Sequence, residues 1–91
     1  MTKKVNYKNG YFEYFGISTF DFCVDEYEYI VNDQMVKAEN IHHILFGASK
    51  YDDINNWMAL SYDNHAKAHN EELKREYLLE IHLKFMNNNP Y

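Results

Sequence analysis

Four of the five histidines in this chain fall between positions 42 and 69: His42 and His43 are adjacent, and His65 and His69 are four residues apart. On a helix, an i,i+4 spacing turns both rings to one side, and imidazole nitrogens so placed can ligate a single cation. Adjacent residues on a strand face opposite ways. Local twist or a bulge would therefore be needed for His42 and His43 to reach one site; alternatively, one is a ligand and the other a base beside the metal. Such a set suits hydrolysis of a phosphodiester, which needs a deprotonated water, charge stabilisation at phosphorus and help for the leaving oxygen. A histidine with an ordinary pKa near ~6.5 can act as general base at neutral pH, and one divalent cation can stabilise the developing charge.

These side chains need elements to hold them. Ile41 and the run Ile44-Leu45-Phe46 can anchor a strand with the histidine pair between the anchors, and Trp57-Met58-Ala59-Leu60 reads as a second short strand. Gly47 to Asp53 forms a polar loop between them. Ser61 or Asp63 can cap the helix that bears His65 and His69, because their oxygens accept from its free N–H groups. A longer helix follows from about Glu71 to about Met86, where Leu73, Tyr77, Ile81 and Phe85 recur every four residues with Leu78 beside them. Leu79, Leu83 and Met86 widen its apolar surface, so this helix is deeply packed or shared with a partner. Glu71–Arg75 and Glu80–Lys84 are favourable i,i+4 pairs on it, and the tail Asn87 to Tyr91 ends it and frays.

Upstream, two readings are open. Asn9-Gly10 suits a type I′ turn between Val5-Asn6-Tyr7 and Tyr11 to Phe15, giving a hairpin; or Tyr11 to Phe15 begins a short helix that Gly16 ends. Tyr27 to Val31 and Met35 to Ala38 read as short strands around a turn at Asn32-Asp33-Gln34.

With 91 residues, the chain has room for one domain over 1–91, and 46% hydrophobic residues with nine tyrosines and six phenylalanines can build its core. The one cysteine, Cys23, excludes an intrachain disulfide and a tetrathiolate zinc, and reads as a small buried hydrophobe. No signal peptide or bilayer-length apolar run is apparent, so a cytoplasmic location away from membranes is expected. The net charge of −5 argues against tight nonspecific binding of nucleic acid. The charge is uneven: Lys3, Lys4 and Lys8 make the start basic, whereas Glu13 to Glu39 carries seven acids against Lys37 and reads as a solvated face, or as one that meets a basic protein partner or mimics nucleic acid. His82 reads as structural or surface-exposed, and Trp57 as core.

The segments Ile41-His42-His43-Ile44, Ile54-Asn55-Asn56-Trp57-Met58-Ala59-Leu60 and Asn64-His65-Ala66-Lys67-Ala68-His69 together resemble the HNH nuclease motif. The likeness is to small HNH proteins of phages and prophages, which often carry an aromatic stretch similar to Tyr11-Phe12 with Tyr14-Phe15-Gly16. It covers about residues 11 to 86, with its specific part at 41 to 69. The resemblance implies an α+β domain built on a ββα-metal (HNH, or His-Me) finger, with the N-terminal hairpin or short helix and the C-terminal helix around it. It implies a metal-dependent DNA endonuclease with His43 as general base and Asn56 holding the loop and orienting that base. His42, His65 and His69 would ligate one divalent ion: Mg, Mn, Ni or Zn. No structural zinc is expected, because Ser61-Tyr62-Asp63-Asn64 and the lone Cys23 stand where relatives carry cysteine pairs. Lys50, Lys67, Lys74 and Arg75 are candidates for phosphate contact. DNA would be the substrate, in a host cytoplasm if the gene is phage-borne, and a homodimer could place two sites on opposite strands. The alternative is a catalytically degenerate HNH-fold phage protein that binds a phage or host protein as an inhibitor or assembly factor.

Overall fold

The computed structural model describes residues 6–45 and 53–91. Within them the chain is a small α+β fold of four α-helices and a two-stranded antiparallel sheet. The elements run α1 (Tyr7–Phe15), α2 (Glu26–Asn32), β1 (Asn40–His43), β2 (Trp57–Leu60), α3 (Tyr62–His69) and α4 (Arg75–Asn88). Short 3-10 turns at Phe20–Phe22 and Ile54–Asn56 precede α2 and β2.

The start of the described chain is helical, which decides between the two upstream readings and extends the helix back through Asn9-Gly10. Asn6 caps α1, its side chain accepting from Asn9 N–H at 3.1 Å. Gly10 has a packing reason to be there: a Cβ on it would lie 2.7 Å from Cζ3 of the buried Trp57. The absent side chain lets α1 lie flat on the indole. Gly16 then closes the helix at φ 70°, a left-handed conformation that glycine adopts without strain.

The expected strand at Tyr27 to Val31 is instead α2, and Met35 to Ala38 contributes only a single bridge, Lys37 with Val24. Alternating Tyr27, Tyr29 and Val31 imitate a strand, but Asp25 outweighs that pattern. Its carboxylate accepts from Glu28 N–H at 2.9 Å and caps the helix, and Glu26 and Glu28 sit in the first turn, where the helix dipole favours negative charge. The helix then packs on α4, with Tyr27 against Tyr77 and Tyr29 against Phe85.

Every residue of β2 is buried, because both faces of the sheet are covered. Trp57 and Ala59 join Tyr11, Phe12, Cys23 and Ile41 in one core under α1. Met58 and Leu60 join Ile44, Leu73, Leu78 and Ile81 in a second core under α4. The long C-terminal helix begins at Arg75, later than expected, since Glu71 takes φ 61° in the turn after α3. Glu71 thus precedes the helix that Arg75 begins, so the two do not share a helix, whereas Glu80 and Lys84 pair along α4, at 3.7 Å.

The acidic segment is not simply a solvated face. Asp25 and Glu26 are fully buried at the start of α2 and tie it to the rest of the molecule. Asp25 accepts from Ser61 N–H at 2.6 Å and from the Asn64 amide at 2.9 Å. Glu26 accepts from the Tyr11 hydroxyl, from Ala59 N–H at 3.0 Å and from His82 Nδ1 at 2.6 Å, while His82 Nε2 lies 2.6 Å from the Ile54 carbonyl. The C-terminal residues are docked as well: the Tyr91 hydroxyl accepts from Val24 N–H at 2.7 Å and its ring packs on Phe15.

Candidate metal centre

The centre is built on the sheet and the helix that follows it. β1 and β2 pair in unbroken register, His42 opposite Met58 and His43 opposite Trp57. With no bulge, the two histidines obey strand alternation and point to opposite faces. His42 turns toward α3, with ring centroids 5.1 Å from His65 and 5.3 Å from His69. His43 meets Tyr7 of α1 edge-on, ring centroids 4.4 Å apart. Because β1 is an edge strand, one cleft of about 340 Å³ reaches both; Tyr7, Lys8, Phe20, His65 and His69 also border it.

α3 places the helical pair. Ser61 caps it, and Asn64, buried one residue before His65, donates to the Asp25 and Glu28 carboxylates at 2.9 and 2.8 Å. The rotation of α3 is thereby fixed by α2. One turn separates His65 from His69, and their Nε2 atoms lie 3.1 Å apart. One ligating nitrogen each from His42, His65 and His69 fall within 4.8 Å of one another. A tetrahedral ion bound at about 2.0–2.1 Å holds its nitrogens roughly 3.3 Å apart; the helical pair already has that spacing, and His42 lies close enough to complete the set.

Electrostatics favour the ligating form of the rings. Burial pushes His42 down to about 4, helped by the neighbouring His65, His69, His43 and Arg75 charges. Burial, then His69, lowers His65 as well. Both imidazoles are neutral at pH 7, with lone pairs available to a metal.

Asn56 is buried and clamps the chain just past the histidine pair. Its Oδ1 accepts from Leu45 N–H at 2.7 Å and its Nδ2 donates to the Leu45 carbonyl at 2.9 Å. Of the candidate phosphate contacts, Lys50 lies outside the described residues. Lys67 is exposed on α3, and Lys74 and Arg75 border a separate depression with Glu71 and Glu76. Among the described residues, the lysine that borders the histidine cleft is Lys8, which is not one of the expected phosphate contacts. Sequence reasoning also passed over Asp25, Glu26, Asn64 and Tyr7. Asn64 alone carried a local signal, its place beside His65.

No family model, curated protein or solved structure matches this chain.

Proposed function

We propose that the chain is a ββα-metal (HNH) endonuclease that hydrolyses phosphodiester bonds in DNA. The supporting observation is the convergence of His42 with His65 and His69, with His43 on the border of the same cleft. His42, His65 and His69 would hold one divalent cation, which would supply positive charge to offset the charge that develops at phosphorus and on the leaving oxygen. His43 accepts a proton from the attacking water, whose oxygen bonds to phosphorus as the ester bond breaks. The edge of Tyr7 and the two-bond clamp of Asn56 on Leu45 restrict where the His43 ring can sit.

The test uses supercoiled plasmid and single-stranded circular DNA with Mg²⁺, Mn²⁺, Ni²⁺ or Zn²⁺ near neutral pH. Cleavage should require metal and vanish in His43→Ala, while His65→Ala should lose metal binding by calorimetry. Failure of the wild-type protein to cut either DNA with any of the four ions would overturn the proposal.

Net charge of −5 and exposed Tyr77 and Leu83 on α4 favour a second reading, an HNH-fold protein without catalysis that binds a protein partner. It predicts a stable complex that survives His43→Ala, and no cleavage.

A further inference from the structure

Three features of the histidine cleft bear on what kind of DNA it can take. The first is charge. Among the described residues that border it are one lysine, Lys8, and one carboxylate, Glu39, whose charges offset each other. Duplex binding draws its affinity from many phosphate contacts made together, and the net charge of −5 adds nothing to that attraction. The second is the aromatic wall. Tyr7, 38% exposed, and the half-buried Phe20 border the cleft together with the imidazoles. The third is size. At about 340 Å³ the cleft stands at the small end of ligand pockets, which run from about 300 to 1,000 Å³, a size that suits a single nucleotide unit.

Together these separate two tasks within one cleft: imidazoles for a phosphate, aromatic rings for a base. In a duplex the bases are stacked inward and cannot reach Tyr7. We infer that the site acts on single-stranded DNA, with an unpaired base against Tyr7 and Phe20 while the adjoining phosphate meets the histidine cluster. This deepens the nuclease reading and rests on it for the cleavage step, but the binding it describes can be measured without turnover.

The experiment is fluorescence anisotropy with the His43→Ala protein and Zn²⁺, an ion that imidazole nitrogens hold. The probes are a labelled ten-nucleotide oligo-dT strand and a ten-base-pair duplex. The single strand should bind at least about tenfold more tightly. Its log K should fall with log salt at a slope near −0.7, the value for about one phosphate contact on a single strand. Adding Tyr7→Ala should weaken strand binding by roughly 5- to 150-fold, in line with the loss of one stacked base, and Tyr7→Phe should keep it. Equal or tighter duplex binding, no binding of the strand, a slope of several charges, or an unchanged affinity in Tyr7→Ala would each overturn the inference. The two proposals fail separately. Metal-dependent cutting of duplex plasmid with no preference for the strand leaves the nuclease and removes the inference. Selective strand binding without cleavage by the wild-type protein does the reverse.

Discussion

Replacing Glu26 by leucine and by glutamine should give opposite lessons about the buried centre of the molecule. The carboxylate serves three donors in a site with no water access: the Tyr11 hydroxyl, Ala59 N–H and His82. Burial and the Glu26 charge push the Tyr11 phenol well up, so it stays protonated and donates. Leucine leaves the Tyr11 and Ala59 donors orphaned, at about 1–3 kcal/mol each, and strips a buried imidazole of its partner. Breaking a buried pair from one side costs about 3–5 kcal/mol, so we expect a loss in that range, against a total of about 5–15 kcal/mol for a typical domain. Glutamine can keep every bond. Its oxygen can accept from Tyr11 and Ala59 while its amide faces Nδ1 of a neutral His82, whose Nε2–H donates to the Ile54 carbonyl. Its cost should be only about 1 kcal/mol, the net worth of an ordinary hydrogen bond.

The sign of the pH dependence separates this account from simple packing. Burial alone would lower His82, but its bond and charge contact with Glu26 raise it above the ordinary 6.5. The folded chain therefore binds more protons than the unfolded chain between 6.5 and that higher value. The stability from the His82 proton is fully present below about pH 6.5 and is lost as pH rises through its folded pKa. In Glu26→Gln the raising partner is gone and burial pushes His82 below 6.5. Its contribution is then present above that value and lost as pH falls. Urea denaturation of metal-free protein from pH 5.5 to 9, followed by far-ultraviolet circular dichroism, measures both. The difference between wild type and Glu26→Gln cancels the titration of the His42, His65 and His69 cluster, which the two share. Burial also raises Glu26, which titrates in wild type alone, so the slope of that difference cannot exceed about 2.7 kcal/mol per pH unit, the value for two protons. The reasoning is refuted if Glu26→Leu costs under 1 kcal/mol, or if Glu26→Gln loses stability with rising pH as steeply as wild type.

Gly10→Ala sets two effects against each other: about 1 kcal/mol gained in helix propensity and about 1–3 kcal/mol lost by forcing a methyl against Trp57 at 2.7 Å. Thermal melts should show net destabilisation of up to about 2 kcal/mol, with a shifted Trp57 emission; a stabilised variant would mean that the indole moves away freely. Asn56→Ala removes both bonds to Leu45 and should cost about 2 kcal/mol in urea, with faster amide exchange at Leu45; an unchanged exchange rate there would remove the clamp from the account. Tyr91→Phe deletes one hydroxyl at the chain's end and orphans Val24 N–H, so it should lower stability by about 1 kcal/mol, where a frayed tail would give no change.

How much of this was legible in the residues depended on how far apart the partners lie. His65 and His69 share a helix face because the helical repeat puts them there, and His42 reaches them because β1 pairs with β2 and only Ser61 separates β2 from α3; simple rules of repeat and pairing suffice. The strand-like alternation of Tyr27, Tyr29 and Val31 was read by a local rule as well, and there it failed. What decides that stretch is Asp25 and Glu26, whose partners are Ala59, Ser61, Asn64 and His82, at separations of 33 to 56 residues. No periodicity reports such a pairing, and acidic residues in a run of acids ordinarily face water. Yet the two cases are linked. Asn64 and Ser61, which hold α3 to Asp25, stand at the head of the helix that presents His65, and Ala59, which binds Glu26, lies in the strand paired to the one bearing His42. The histidines supply the chemistry of the centre in a pattern that can be read along the chain. The two buried carboxylates supply its geometry, and their role becomes visible only when the whole chain has closed around them.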